Sequence, residues 1–263
     1  MSAMANATAG SWHPDDLIEA LQRHVTADEA SWTVRQAILF CILSSVGSDL
    51  VTRVFQLCAR LAEKLPINPK LHLDKFAAID LSYIIVNKLQ ILMFTYHLFK
   101  FLLGSPSVSR RMSEATLTNS LLVIIPMFMV YDLFYASFHK ILHLRSLYAY
   151  VHKHHHRQIS PSRGHFDAIN VHPFEFFVGE YLHLFVLRVF PCHIIAPVIF
   201  VLVATAVSTF NHMRSDISIP GLYNATDHAG HHLRPDTNFG QYTMMWDKAF
   251  GWYRPWNSAA KTG

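Results

Sequence analysis

Histidine is concentrated in three short clusters in the second half of this 263-residue sequence. Of its 18 histidines, 14 lie between positions 139 and 232. The clusters read "HKILH" at 139–143, "HKHHH" at 152–156 and "HAGHH" at 228–232. The first has two histidines four positions apart, and the other two share the spacing HxxHH. Imidazole side chains that recur at such intervals are typical of metal sites.

Residues three and four positions apart lie on one face of an α-helix. Each HxxHH cluster is therefore expected to point its three imidazoles at one metal centre. His154 lies about 200° around the helix from His152 and should face elsewhere. Neutral imidazole binds iron, zinc, copper and nickel, and a site built almost wholly from imidazole suits two bridged first-row metals. An isolated histidine is usually a structural residue, so the prediction depends on the repeated spacing.

The remaining composition predicts that these clusters are held by a membrane protein. Hydrophobic residues make up 51% of the chain and the mean hydropathy is +0.21. Charged residues make up only 15%, which is a low share for a soluble domain.

An amphipathic helix is expected over 14–25, with acidic residues in its first turn, and Thr26 and Glu29 have the spacing of a capping box for the next helix. We expect no cleavable signal peptide and no disulfide or thiolate site.

Four apolar stretches follow, at 34–57, 77–103, 117–143 and 174–210. The fourth is too long for one crossing, and Pro191 lies near its middle, so it predicts a helical hairpin. The fold class is therefore all-α: an integral membrane bundle of about four membrane helices, including the hairpin, with a cytosolic histidine-rich helical cap. Lys and Arg residues after position 139 favour the cytosolic side.

Four charged residues interrupt the first three apolar stretches, which indicates that these helices line a polar interior. They are Asp49, Arg53, Lys88 and Asp132. The chain is basic, with a net charge of +4, but it has no basic stretch with interleaved aromatic residues, so nucleic acid is not expected as a partner.

Five segments of the C-terminal half resemble the fatty acid hydroxylase superfamily, whose membrane di-iron proteins include sterol desaturases, sterol C4-methyl oxidases and sphingolipid hydroxylases. They are "YDLFYASFHKILH" (131–143), "HKHHH", "NVHPFE" (170–175), "FNHMRSDISIP" (210–220) and "HAGHHLRPDTNFGQYTMMWDKAFGWYRP" (228–255).

The chain is therefore expected to divide into four regions. They are an N-terminal amphipathic segment (1–32), N-terminal membrane helices (33–116), a fatty acid hydroxylase-like catalytic domain (117–257) and a C-terminal tail (258–263).

The resemblance implies a site for two iron ions that uses dioxygen to attack a C–H bond of a lipid. Its metal ligands would be His139, His143, His152, His155, His156, His212, His228, His231 and His232. Some members have a further histidine where this chain has Ser208, so one metal has an open position or His172 compensates. Asp132, Asp227 and Asn211 are candidates to hold the ligands in place, whereas His165, His183 and His193 are expected not to bind metal.

The resemblance also implies an external electron donor, such as cytochrome b5 or a ferredoxin with a reductase, and the sequence has no dinucleotide or haem-attachment motif of its own. A sterol-like substrate is slightly preferred over a fatty acyl or sphingoid lipid, in the endoplasmic reticulum with the site facing the cytosol. A purified protein could carry zinc instead. The acyl-lipid desaturases, a metal transporter, a zinc-stabilised membrane protein and a catalytically silent scaffold remain alternatives.

Overall fold

The computed structural model describes residues 14–25, 33–62, 64–65, 72–73 and 75–255. Within these ranges the chain is predominantly helical, and its β structure consists of two short two-residue pairs and one isolated bridge. The predicted all-α class is therefore confirmed. The proposed capping pair Thr26 and Glu29 and the tail 258–263 lie outside the described residues.

The helices follow one another with short connections. Residues 118–122 and 148–152 form π-helical turns, and residues 112–114 and 155–157 form 3₁₀ turns. The α-helices are α1 (Pro14–Val25), α2 (Val34–Arg60), α3 (Ala78–Gly104), α4 (Ile124–Leu142), α5 (Arg145–Leu147), α6 (His165–Ala168), α7 (Pro173–Val189), α8 (Ile195–Asn211), α9 (Ala225–Leu233) and α10 (Met245–Ala249). The strands are β1 (Val108–Ser109), β2 (Cys192–His193), β3 (Ser218–Ile219) and β4 (Tyr223–Asn224).

Three helices are long and apolar enough to cross a membrane: Val34–Arg60, Ala78–Gly104 and Thr118–Leu142. They match the first three apolar stretches of the sequence within a few residues. Thr33 caps the first of them, because its hydroxyl accepts a hydrogen bond from the Gln36 backbone N–H. Many large apolar side chains of these helices are exposed, which is the pattern of a surface that faces lipid.

The fourth apolar stretch forms the predicted hairpin of α7 and α8. Each helix has 17 residues, or about 25 Å, and Pro191 lies in the turn between them. In that turn β2 pairs in parallel with β1, which belongs to the connection between α3 and α4. The tip of the hairpin and this connection therefore lie at the same end of the bundle, and the other ends of α4, α7 and α8 meet at the histidine clusters.

The membrane helices pack around an apolar core, and they also carry an ion pair and a buried carboxylate. Met127, Leu187 and Phe200 are fully buried where α4, α7 and α8 meet. Lys88 on α3 forms a 2.8 Å ion pair with Asp49 on α2, which satisfies two charges within apolar helices. Two of the four charges that were expected to line the interior are thereby paired, and Asp132 is buried, but Arg53 is exposed.

Candidate metal centre

The structure brings nine histidines together in two adjoining groups. Within each group, one nitrogen of every imidazole lies within 4.8 Å of the others, and eight of the nine side chains are buried, with His143 partly exposed. The rings of His156 and His232, one from each group, have centroids 5.0 Å apart. The first histidine group is His139, His143, His152, His156 and His231, and the second histidine group is His155, His212, His228 and His232.

Four segments of the chain supply these side chains. His139 and His143 lie at the C-terminal end of α4, and His212 caps the C-terminal end of α8. The 152–156 cluster is not a regular α-helix, because it joins the π-helical turn at 148–152 to the 3₁₀ turn at 155–157. The third cluster lies on α9, which the Asn224 side chain caps.

The expectation that each HxxHH cluster faces one centre is wrong. His152 and His156 reach the first histidine group, whereas His155 between them reaches the second. The third cluster divides in the same way: His228 and His232 belong to the second histidine group and His231 to the first. Consecutive helical residues point about 100° apart, whereas positions i and i+4 differ by only about 40°. An HxxHH cluster between two sites therefore sends its i, i+4 pair to one site and the remaining histidine to the other.

Backbone carbonyls and one carboxylate hold four of the imidazoles through their Nδ1 atoms. The Nδ1–H groups of His139 and His231 donate to the carbonyl oxygens of Phe239 and Thr237, at 2.8 and 2.6 Å. His212 donates to the Ser208 carbonyl at 2.8 Å, one turn earlier on α8. His152 Nδ1 lies 2.8 Å from Glu175 Oε1. In a neutral imidazole with its proton on Nδ1, Nε2 carries a lone pair.

These lone pairs converge. The Nε2 atoms of His139 and His152 lie 3.0 Å apart, although the proton of each ring is already used at Nδ1. Two lone pairs at this distance repel each other unless a cation lies between them. His143 Nε2 is also buried and has no hydrogen-bond partner. The residues therefore fit a metal ion in each group, held through imidazole nitrogens.

Burial keeps the imidazoles in the neutral form that binds metals. Desolvation, followed by the charges of neighbouring histidines, lowers the pKa values of His155, His228 and His232 well below the usual value for histidine. Desolvation and His139 lower the pKa of His143 to about 3. Because only a neutral imidazole can bind a metal ion, a site that disfavours protonation leaves its nitrogens available for coordination.

Glu175 is a functional residue that the sequence reasoning missed. It is 5% exposed at the start of α7, in the segment "NVHPFE". Asp132 was one of the two carboxylates expected to hold the ligands in place, but its oxygens accept hydrogen bonds from the backbone N–H groups of residues 241–243. The sequence pattern that could have identified Glu175 is an acidic residue in the first turn of an otherwise apolar helix, directly after a turn that contains a histidine.

The loop 237–243 orients two imidazoles of the first histidine group, those of His139 and His231. Asp247 accepts hydrogen bonds from the backbone N–H groups of Phe239 and Gly240, and Asp132 binds the next three residues. Gly240 has no room for a side chain, since a Cβ atom would lie 2.2 Å from the Thr243 carbonyl oxygen. Asn238 adopts a positive φ of 58°, which asparagine tolerates better than most residues. The two carboxylates therefore set the positions of the carbonyls that orient His139 and His231.

The other candidates lie around the two groups without entering them. Asn211 donates to the Gln241 carbonyl and accepts from the Tyr223 hydroxyl, and Asp227 accepts from the Tyr253 hydroxyl at 3.4 Å. His172 caps α7 instead of compensating at Ser208. His154 lies 3.0 Å from Asp80 Oδ1 and points away from both groups.

The three remaining histidines also lie outside the two groups. His183 contacts the Tyr242 hydroxyl at 2.6 Å, and His193 contacts the Arg111 carbonyl at 3.2 Å. His165 lies next to Gly164, whose N–H donates to the His212 carbonyl, but its own ring belongs to neither group. None of these residues has an imidazole aimed at the convergent nitrogens.

The family model for fatty acid hydroxylase matches residues 124–252. This range contains all nine convergent histidines, together with Glu175 and the two carboxylates that hold the loop 237–243. This region of the chain belongs to the fatty acid hydroxylase superfamily. This membership confirms the resemblance inferred from the five segments, whereas the division into four regions stays a prediction.

Curated relatives are similar to just under half of the chain. The Delta(7)-sterol 5(6)-desaturase of Leptosphaeria maculans is 30% identical over 132 residues, which are 49% of this chain and 36% of that protein. The lathosterol oxidase of Rattus norvegicus is 30% identical over 122 residues, 44% of this chain and 40% of that protein. The Delta(7)-sterol 5(6)-desaturase of Candida dubliniensis is 34% identical over 123 residues, 44% of this chain and 30% of that protein. The match thus spans well under half the length of each relative, and no solved structure matches significantly.

Proposed function

We propose that this protein is a membrane-bound non-haem di-iron oxidoreductase that uses dioxygen to hydroxylate or desaturate a lipid. The observation that carries the proposal is the convergence of nine imidazoles in two adjoining groups, within the region that matches the family model. Two groups of five and four nitrogen donors suit two first-row metal ions in neighbouring positions. Membership of a lipid-oxidising family favours iron at both positions over zinc.

When bound, an iron pair supplies the oxidation of an unactivated C–H bond, which acid and base side chains cannot perform. The protein contributes ligands, orientation and exclusion of water. Nε2 of His139, His152 and His231 is presented with its lone pair toward the first histidine group, because Nδ1 of each ring is held by a fixed acceptor. The buried surroundings of the second histidine group keep its imidazoles neutral and limit access of water.

A sterol-like lipid is the preferred substrate, followed by fatty acyl and sphingoid lipids. The support is that the three curated relatives described above are named as sterol desaturases or as a lathosterol oxidase. Three membrane-length helices with exposed apolar side chains fit a substrate that stays within the bilayer. The site would face the cytosol in the endoplasmic reticulum, and electrons would come from a carrier such as cytochrome b5 or a ferredoxin with a reductase.

The direct test is metal content together with lipid products. The full chain, expressed with ample iron and purified in detergent, should carry two iron ions, and extracts of cells with and without the gene should differ in one hydroxylated or desaturated lipid. His155→Ala should lower the iron content and abolish the lipid difference, whereas the matched variant His154→Ala should change neither. A wild-type protein without iron, or one that binds only zinc and consumes no oxygen with an artificial reductant, would refute the proposal.

A further inference from the structure

A continuous row of aromatic rings connects the protein surface to the first histidine group. Phe250 is 44% exposed, and its ring centroid lies 4.8 Å from that of Trp252. Trp252 meets Phe239 edge-on at 5.7 Å, and Phe239 is only 1% exposed. The Phe239 ring in turn lies 5.3 to 5.7 Å from three imidazoles of the group, those of His139, His143 and His231. Three side chains thus span the distance from surface to metal site.

Hydrogen bonds hold the same row in place. The Phe239 carbonyl accepts the Nδ1–H of His139, and the Phe239 N–H donates to Asp247 Oδ1 at 2.6 Å. The Trp252 carbonyl accepts the N–H of Asn238, the residue before Phe239, at 3.1 Å. The Nζ of Lys140 lies 4.6 Å from the Phe239 ring centroid and 4.7 Å from that of Trp252. These contacts fix the spacing of the rings in the row.

The surface where the row ends is basic. We define the Trp252 surface by Lys140, Lys248, Phe250, Trp252 and Arg254. Lys248 and Arg254 are exposed, and Lys248 lies over the Tyr253 ring. Three aspartates lie in the segment 227–255: Asp227 and Asp247 are buried, and Asp236 is exposed and close enough to His143 to affect its pKa. The accessible charges of this segment, those of Lys140, Lys248 and Arg254 against that of Asp236, are therefore positive in sum beside the exposed Phe250, which suits a partner with an acidic surface.

We infer that the Trp252 surface binds an acidic one-electron carrier protein, and that Trp252 and Phe239 conduct its electrons to the first histidine group. This inference rests on the proposed function, which needs two electrons for each dioxygen consumed. In each transfer the carrier's reduced cofactor loses one electron and is oxidised, and ferric iron held by the first histidine group gains it and becomes ferrous. The rings stay neutral throughout, so no proton accompanies the electron along the row.

Anionic lipid headgroups are the other occupant that a basic surface could take. The row of rings favours the carrier. Binding of lipid headgroups would involve only the surface, and it would not use the buried Phe239 that links the surface to three imidazoles. Lys140 also lies over the two inner rings of the row. The surface and the row together therefore indicate an electron donor.

Binding is tested with the iron-loaded full chain in nanodiscs and the soluble domain of cytochrome b5 as the acidic probe. The double variant Lys248→Glu and Arg254→Glu should weaken binding about tenfold at low salt, and the difference should shrink as salt is raised. Lys75→Glu, a charge reversal at an exposed lysine before α3, is the matched control and should bind like the unaltered protein. Equal binding by the double variant would overturn the inference. A loss of binding by the double variant only in nanodiscs that contain phosphatidylserine would also overturn the inference, since the surface would then bind lipid headgroups.

Conduction is tested by the rate at which the reduced probe bleaches the ferric absorbance in stopped flow. Trp252→Leu should slow this rate at least tenfold without weakening probe binding, whereas Trp252→Phe should retain most of it. Tyr150→Leu is the aromatic control, because Tyr150 is 80% exposed and outside the row. An unchanged rate in Trp252→Leu would overturn the inference.

A small reductant separates this inference from the proposed function. Dithionite needs no docking surface, so it should reduce the iron of every variant at one rate. If the unaltered protein holds no iron that dithionite can reduce, the proposed function fails. If dithionite reduces the iron but the cytochrome b5 domain neither binds nor depends on Trp252, only the inference about the Trp252 surface fails.

Discussion

Replacing Glu175 by leucine should weaken metal binding at the first histidine group. Glu175 Oε1 accepts the Nδ1–H of His152 at 2.8 Å, and both side chains are buried. Leucine would leave that N–H without an acceptor and would remove the group that keeps the proton on Nδ1. The proton could then move to Nε2, the atom that faces His139 and His156 at 3.0 Å, where it blocks coordination.

The expected loss is about 10- to 100-fold in metal affinity, the usual effect of removing a partner that orients a ligating histidine. This corresponds to about 1.4–2.7 kcal/mol, which lies within the cost of about 1–3 kcal/mol for a buried donor left unsatisfied. Glu175→Gln keeps an acceptor without the charge, so it should fall between leucine and the unaltered protein. The second histidine group has no contact with Glu175 among the described residues and should hold its ion normally.

The assay is competition between the purified protein and a chromophoric chelator, read as two phases of iron release. In Glu175→Leu one phase should shift to lower chelator concentration and the other should stay. Glu180→Gln is the matched control, because Glu180 lies on the same helix but has no contact with the nine histidines among the described residues. Equal affinity in Glu175→Leu and the unaltered protein, with the protein folded, would refute the role assigned to Glu175.

Three further predictions concern the same site. His156→Ala and His232→Ala should each remove about half of the iron, because the two histidines belong to different groups. Iron content is measured by elemental analysis, and loss of all iron from either variant would argue against two separable groups. Gly240→Ala should lower the melting temperature by several degrees, since its Cβ would overlap the Thr243 carbonyl, whereas Gly47→Ala, where nothing lies within 4 Å, should not. Acidification should release iron and lower the free energy of unfolding. The pKa of His143 is about 3 in the folded protein and 6.5 in the unfolded chain, so the unfolded chain binds protons more readily. The free energy of unfolding should therefore decrease as the pH falls below about 6.5. Melting and iron retention that stay constant down to about pH 4 would contradict this.

The sequence by itself determined the class of the fold and named the histidines of the candidate metal centre. Long apolar stretches interrupted by few charges specify membrane helices, because only a helix satisfies its own backbone hydrogen bonds in lipid. The hairpin followed from the length of the fourth stretch and the position of Pro191. The nine histidines could be named because their spacing is local and because the five segments resemble one family.

Only the tertiary structure decided how the histidines divide and what orients them. Local helical geometry gives the direction of each side chain, but which centre it reaches depends on where α4, α8 and α9 are placed around it. His155 and His156 are neighbours in sequence, yet their nitrogens meet partners 57 and 75 residues away, His212 and His231. Glu175 and the carbonyl of Phe239 act on His152 and His139 across 23 and 100 residues, which no local pattern encodes. The division of each HxxHH cluster between two centres is therefore a property of packing, whereas the presence of the clusters is a property of the sequence.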